Sequence, residues 1–162
     1  MIRHASVEDS FAIAAIYNWY IVNTYFTFEE AQLEVKEISR RIAKADEQSP
    51  WLVLLEENQV VGFACAVPWK QRAAYRFSRE TSIYLQQDKL GMGMGRGARL
   101  YQQLIDEIRE TPIHVLIAGI AQPNPGSVAL HEKMGFRKIG QFQELGKKFD
   151  HFIDIAYWQI TL

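Results

Sequence analysis

Apolar positions recur along the chain with two different periods, and the switches between them divide it into elements. Ser6-Val-Glu-Asp9 reads as a helix cap, and behind it Phe11, Ala12, Ala15, Ile16, Trp19 and Tyr20 recur at helical spacing, predicting a first helix that ends near Val22. A second, more charged helix is expected over 33–45, with Val35, Ile38 and Ile42 as its inner stripe. The runs Trp-Leu-Val-Leu-Leu (51–55) and Val-Val-Gly-Phe-Ala-Cys-Ala (60–66) flank a polar Glu-Glu-Asn-Gln segment, the pattern of an antiparallel hairpin. Thr81-Ser-Ile-Tyr-Leu85 predicts a further strand, which leads through a short loop into a glycine run and an amphipathic helix. Residues 113–120 then form a buried strand reached by a right-handed crossover. A short helix over 127–134 closes at Gly135, and strands over 138–145 and 152–160 finish a mixed α and β order.

Length and composition narrow the setting. At 162 residues and 48% apolar, the chain is expected to form one domain over 1–162, burying roughly two-thirds of its unfolded surface without staples. The single cysteine, Cys65, lies in an apolar run, where a small buried thiol is the expected state rather than a nucleophile, and this fits a reducing cytoplasm. No apolar stretch approaches the roughly 20 residues of a membrane span, and Met1-Ile-Arg-His-Ala lacks the apolar core of a signal peptide; a soluble cytoplasmic protein is expected. With 18 basic and 19 acidic residues the net charge is −1, which draws the chain toward neither nucleic acid nor an anionic membrane. Any anion it binds must be met locally.

Gly91-Met-Gly-Met-Gly-Arg-Gly97 supplies a local candidate. Glycines let backbone N–H groups approach an anion, and the helix that follows adds unpaired donors at its first turn; a plain flexible turn is the alternative. The run lacks the Lys-Ser/Thr of a P-loop and the Gly-x-Gly-x-x-Gly spacing of dinucleotide folds. His4, His114, His131 and His151 show no ligand spacing and no cysteine pair accompanies them, so no metal is expected.

Four segments stand in order: Trp69-Lys-Gln-Arg-Ala-Ala-Tyr75, Glu80-Thr-Ser-Ile-Tyr-Leu85, the glycine run, and Pro123-Asn-Pro-Gly-Ser-Val-Ala-Leu-His-Glu-Lys-Met-Gly-Phe136. With these the chain resembles the GNAT N-acetyltransferases, and within them the phosphinothricin N-acetyltransferase and methionine sulfoximine acetyltransferase group, from about Ile2 to Gln159. The resemblance implies an α/β (α+β) GNAT fold: a mixed, mostly antiparallel central sheet with a parallel splayed strand pair, flanked by helices. It implies acetyl-CoA as cosubstrate, lying in the splay. Ile83, Tyr84 and Leu85 would offer it backbone contacts, Gly93, Met94, Gly95, Arg96, Gly97 and Ala98 would hold its pyrophosphate, and Asn124 would bond the pantetheine or substrate side of the cleft. The family pattern Gln/Arg-x-x-Gly-x-Gly/Ala fits in two registers. Burial of Leu100, Tyr101, Leu104 and Ile105 favours Gly93, Gly95 and Gly97 over Gly91, Gly93 and Gly95. Neither register has Gln or Arg at the first position; Arg96 or Lys89 is the substitute donor.

For catalysis the resemblance casts Glu80 as the base that deprotonates the amine, an effect worth about 10²- to 10⁴-fold; the competing reading is a surface Glu paired with Arg79 or Arg76. The backbone N–H of Leu85 is the candidate oxyanion donor. His131 either protonates the departing thiolate, orients the cofactor sulfur or the substrate, or serves as a satisfied helix-cap histidine. Arg72 offers a fork for a carboxylate or phosphinate and, with Tyr75, precedes the Glu80 strand; Phe28 is a wall over the acceptor or a core residue. The group's Lys-Phe-Gly-Arg/Gly-Trp stretch is replaced here by Lys148-Phe-Asp-His-Phe152. The implied activity is direct acetyl transfer to the α-amino group of a small amino acid or analogue of the phosphinothricin, methionine sulfoximine or methionine sulfone type. Protein or polyamine acetylation and a non-catalytic acyl-CoA sensor are the rivals. A homodimer is implied, with the aromatic strand 152–158 at its interface.

Overall fold

A computed structural model describes residues 1–90 and 95–162. Seven strands form one sheet in the order β1-β2-β3-β4-β5-β7-β6. They are β1 (Ile2–His4), β2 (Trp51–Glu56), β3 (Gln59–Pro68), β4 (Ser78–Leu85), β5 (Val115–Ala121), β6 (Arg137–Lys148) and β7 (His151–Thr161). Every neighbouring pair is antiparallel except β4 with β5. The helices are α1 (Ser10–Asn23), α2 (Val35–Ile42), α3 (Arg96–Arg109) and α4 (Pro125–Lys133). None of the described helices is long and apolar enough to cross a membrane.

The central strands read as unbroken apolar runs because both sheet faces are covered. Alternation along β2 sends Leu52 and Leu54 to a core with Leu100, Tyr101 and Leu104 of α3, and Trp51 and Val53 to a second core with Ile13 of α1 and Ile38 of α2. Glu57 and Asn58 both take positive φ, 49° and 63°, as a two-residue hairpin turn requires, and Phe149 and Asp150 do the same between β6 and β7. The burial of Leu100, Tyr101, Leu104 and Ile105 is the pattern on which the later glycine register was chosen; Gly91, Gly93 and Met94 of that run lie outside the described residues.

Two expectations need correction, and one strand was missed. The inner stripe of α1 is Ile13, Ala14, Ile16, Tyr20 and Ile21, while Phe11 is 74% exposed. This helix is apolar nearly all round, so periodicity does not choose a face; packing against Phe63, Tyr84 and α2 does. The second helix spans only Val35–Ile42, and Val35, at its first position, is exposed. The strand β1 was not anticipated, since three residues carry too little alternation to read. It is held by β2 and by Arg3, whose guanidinium donates to both oxygens of Asp9 at 2.7 and 2.8 Å.

Candidate active site

The site begins where a ladder stops. β4 and β5 pair at Ser78↔Val115, Arg79↔Leu116 and Glu80↔Ile117, and then part, β4 following β3 to Leu85 and β5 following β7 to Ala121. Between the diverging strands lies a groove of about 470 Å³, lined by Ile83, Leu85, Gly97, Gly119, Asn124 and His131 among others. Register decides what the groove wall offers. The Gln86 N–H donates to Val61 and the Ala66 N–H to Pro50, so the alternating antiparallel pattern turns the N–H and C=O groups of Thr81, Ile83 and Leu85 away from β3 and toward the groove. Those of Tyr84 face β3, and its ring packs under α1 against Tyr17 and Tyr20. The Leu85 carbonyl accepts from the Tyr20 hydroxyl at 2.6 Å, leaving its N–H for a ligand.

Glu80 sits on the face toward α1, at the last paired position. Its carboxyl is half-buried, and burial raises its pKa, with Lys70 opposing the shift. The surface-pair reading does not hold. Arg79 donates to Gln48, Ser49, Arg76 and Ser78, Arg76 donates to Ala73, and Glu80 forms no ion pair among the described residues. Gly119 faces it across the opening. A Cβ there would lie 3.0 Å from Tyr157 Cε1 and 3.6 Å from Glu80 Oε1, so the missing side chain lets ring and carboxylate pack on bare backbone. Trp69 meets the Tyr157 ring edge-on at 5.6 Å.

At the other wall, α3 starts at Arg96 after Gly95, whose φ of +63° suits glycine. Gly97 lines the groove, and a Cβ there would reach ordinary contact with Leu85 and Leu130. Ala98 lines the opposite flank, with Ile2 and Met134, and is not among the residues that line the groove. The Arg96 guanidinium is 8% exposed and grips Glu56 with two bonds, 2.6 and 3.0 Å, tying the start of α3 to the end of β2, while its Nη1 is buried without a partner among the described residues. Asn124 caps α4, its Oδ1 accepting from the Ser127 N–H at 3.2 Å, ahead of Pro125 at the first helical position.

His131 is 3% exposed, edge-on to Tyr101 and Phe136. Its Nδ1 lies 2.7 Å from the Ser127 carbonyl, which fixes the proton on Nδ1. Burial lowers its pKa, and Nε2 is buried without a partner among the described residues. A neutral imidazole in this tautomer presents a lone pair, not a proton.

The three acceptor candidates separate. Arg72 and Tyr75 gather with Lys70 and Gln71 around a shallow exposed pocket. Phe28 instead presses its ring onto Gly146 of β6, where any side chain would overlap it. Its loop is pinned there by the buried Lys148, which donates to the Thr27 carbonyl at 2.8 Å. Of the aromatic residues in this loop it is Phe26 that lines the groove, alongside Tyr20 and Tyr84, and Tyr25 beside it donates to the Pro123 carbonyl at 2.6 Å. Sequence reasoning missed Tyr20, Tyr25, Phe26, Gly119 and Tyr157. The Tyr25-Phe-Thr-Phe28 cluster was the available signal, read one aromatic too far along. Among the described residues no three His, Cys, Asp or Glu side chains converge on a metal position.

The sequence family described as acetyltransferase (GNAT) domain matches residues 2–157. An L-methionine sulfoximine/L-methionine sulfone acetyltransferase of Pseudomonas paraeruginosa is 32% identical over 99% of this chain and 94% of its own. The crystal structure of a ribosomal-protein-alanine N-acetyltransferase from Brucella melitensis superposes with a TM-score of 0.94 at 36% identity, covering 100% of this chain and 99% of that one. A phosphinothricin acetyltransferase from Sinorhizobium meliloti, solved in complex with acetyl-CoA, gives 0.93 at 32% identity over 100% and 88%. Splayed strands, a helix opening at their gap and a match over nearly the whole length agree: the chain belongs to the GNAT acetyltransferase family.

Proposed function

We propose that this acetyltransferase transfers the acetyl group of acetyl-CoA to the α-amino group of a small amino acid or analogue, of the phosphinothricin, methionine sulfoximine or methionine sulfone type. The observation that carries this reading is the half-buried Glu80 carboxylate, without an ion pair among the described residues, at the point where β4 and β5 part. The groove fits the cosubstrate on its own terms. An interrupted ladder at Ile83 and Leu85 suits the amides of a pantetheine arm, and the side-chain-free start of α3 at Gly97 suits a pyrophosphate. When bound, acetyl-CoA supplies an activated thioester carbonyl.

Glu80 takes a proton from the substrate ammonium, freeing the nitrogen lone pair. As the N–C bond forms and the C–S bond breaks, the Leu85 N–H faces the carbonyl oxygen on which negative charge builds. His131, neutral and with Nδ1–H spent on Ser127, acts as an orienting acceptor. The second nitrogen proton leaves as the intermediate collapses and reaches the departing thiolate through water, a transfer that a thiol pKa near ~8.5 allows. Cys65 is buried, its pKa pushed up to about 12 by burial, so direct transfer is preferred to a covalent relay. Arg72 and Tyr75, with Lys70, lie on the exposed approach to Glu80 and hold the α-carboxylate in this reading.

The cytoplasm is the setting this reading adopts for the reaction. The implied dimer would use β6 rather than β7. Trp158 of β7 is buried, whereas β6 is an edge strand exposing Ile139, Phe142 and Leu145. Peptide and polyamine acceptors are the rival class. Phe26 in the groove wall, held next to the Tyr25–Pro123 bond, and the Trp69–Tyr157 pair favour the smaller amine. Thiol release from acetyl-CoA should therefore saturate with phosphinothricin or methionine sulfone and stay at background with spermidine and a lysine peptide; the reverse order would refute the proposal.

A further inference from the structure

β4 and β5 stop pairing at a rung that carries more than main-chain bonds. Thr81, the first residue of β4 past the Glu80↔Ile117 pair, holds its hydroxyl 3.3 Å from the Ile117 carbonyl and 2.6 Å from the Tyr101 hydroxyl of α3. A carbonyl only accepts, so the Thr81 proton goes to Ile117 and the Tyr101 phenol donates to Thr81 Oγ1. Burial raises the Tyr101 pKa, which keeps the phenol a donor. Neither hydroxyl has a part in the proton transfer assigned to Glu80, whose side chain alternates to the opposite face of the sheet.

Register shows which bond is missing next to this pair. The His114 carbonyl accepts from Leu162 and the Gln122 N–H donates to Asp154, so even-numbered residues of β5 face β7 and the odd-numbered Ile117, Gly119 and Ala121 face β4. The Ile117 carbonyl therefore also takes the Thr81 N–H, and a further parallel rung would join the Gly119 N–H to the Thr81 carbonyl. Pairing ends before that rung, and Gly119 is exposed. Composition does not forbid it. Gly119 has no side chain to obstruct a neighbour, and Thr81 and Ile83 are both residues that favour a strand.

The obstacle is the tie to α3. Tyr101 is fully buried, stacked on Phe136 at 5.7 Å between ring centroids and edge-on to His131 at 5.0 Å, so its hydroxyl is a fixed point. Thr81, 5% exposed, is held to that point exactly one residue past the last pair, where β5 continues along β7.

We propose that the Thr81–Tyr101 bond is the stop that ends the β4–β5 ladder. Both are positioning residues: they keep the Thr81 carbonyl and the Gly119 N–H unpaired at the closed end of the groove, and so set the length of groove open to acetyl-CoA. The occupant rests on the acetyltransferase reading above; the stop itself is a property of the ladder.

Thr81→Val combined with Tyr101→Phe removes both hydroxyls at nearly constant shape, a double replacement that is close to neutral for folding. Exchange of the Gly119 amide, followed by NMR on the ligand-free protein, should slow about tenfold in this variant as the added rung forms. The KM for acetyl-CoA should rise about tenfold while kcat stays within about threefold. Thr81→Ser keeps the hydroxyl and should match the native protein in both readouts. A bond that served only the core would alter the melting temperature and leave KM and Gly119 exchange where they are. Gly119 exchange as fast in the double variant as in the native protein, or slowed equally by Thr81→Ser, overturns the inference and leaves the acetyltransferase reading standing. Slowed exchange with an unchanged KM overturns the positioning role. Slowed exchange in a protein whose native form binds no acetyl-CoA upholds the stop and overturns the acetyltransferase reading instead.

Discussion

Replacing Glu80 by Gln removes a proton acceptor while keeping shape and hydrogen-bonding capacity, and the structure fixes the sign of each consequence. The carboxyl is half-buried and forms no ion pair among the described residues; burial lifts its pKa above the ordinary carboxylate value of about 4.3, and Lys70 limits the rise. As pH increases through that raised pKa the base form accumulates, so kcat/KM should climb tenfold per pH unit below it and level off above. Glu80→Gln should lower kcat by about 10²- to 10⁴-fold and abolish this limb, with acetyl-CoA affinity retained. Lys70→Met removes the opposing charge and should move the limb to higher pH. Stability must move the other way. A carboxylate whose folded pKa is raised costs the native state stability at neutral pH and costs nothing below the unfolded pKa, where both states are protonated. Glu80→Gln should therefore raise the melting temperature at pH 7, and the gain should vanish near pH 4. The assays are thiol release across pH and thermal unfolding at the two pH values. Turnover within tenfold of the native protein, or a surviving acid limb in Glu80→Gln, would remove Glu80 from the proton transfer; a melting temperature that falls at pH 7 would refute the burial argument.

Two further outcomes follow from packing. At Gly146 a Cβ would overlap the Phe28 ring, with Cζ at 2.6 Å and Cδ2 at 2.8 Å, so Gly146→Ala should cost about 1–3 kcal/mol in urea unfolding, and Phe28→Leu in the same chain should recover part of it. Additive losses would show that the two sites do not touch. Asp9→Asn weakens the carboxylate that accepts from Arg3 and from the Ser6 N–H at 2.8 Å, and should cost about 1–3 kcal/mol at neutral pH. The Arg3 hydrogen bond holds the Asp9 pKa below its ordinary value, so this contribution is present above the unfolded pKa and fades as pH falls through the folded one. A gap between native and Asp9→Asn proteins that stays constant down to pH 2 would contradict it.

What could be read in advance was whatever a single segment determines. The hairpin of β2 and β3 was legible because Glu-Glu-Asn-Gln interrupts two apolar runs, and the α3 register was legible because Leu100, Tyr101, Leu104 and Ile105 admit one buried face. The α1 stripe was not, since a helix apolar on most sides takes its orientation from Phe63 and Tyr84, more than forty residues further along. The candidate site divides the same way. Glu80 and His131 were nameable from local motifs, but their protonation was not. The neutrality of His131 comes from Tyr101, Phe136 and the Ser127 carbonyl, and the raised Glu80 pKa from burial at the end of a pairing that takes in strands from both halves of the chain. Phe28 was set over the acceptor because its neighbours are aromatic, yet Gly146, 118 positions later, is what receives its ring and leaves Phe26 to line the groove. A glycine in an exposed edge strand carries no local reason for its identity; the reason appears only when the loop it accommodates is in place. The lining of the groove is therefore set by loop-to-sheet seating as well as by the Glu80 strand. Lys148, the residue that this stretch keeps in common with the group's Lys-Phe-Gly-Arg/Gly-Trp, holds that seat through its bond to Thr27, while the departures fall at Asp150, His151 and Phe152.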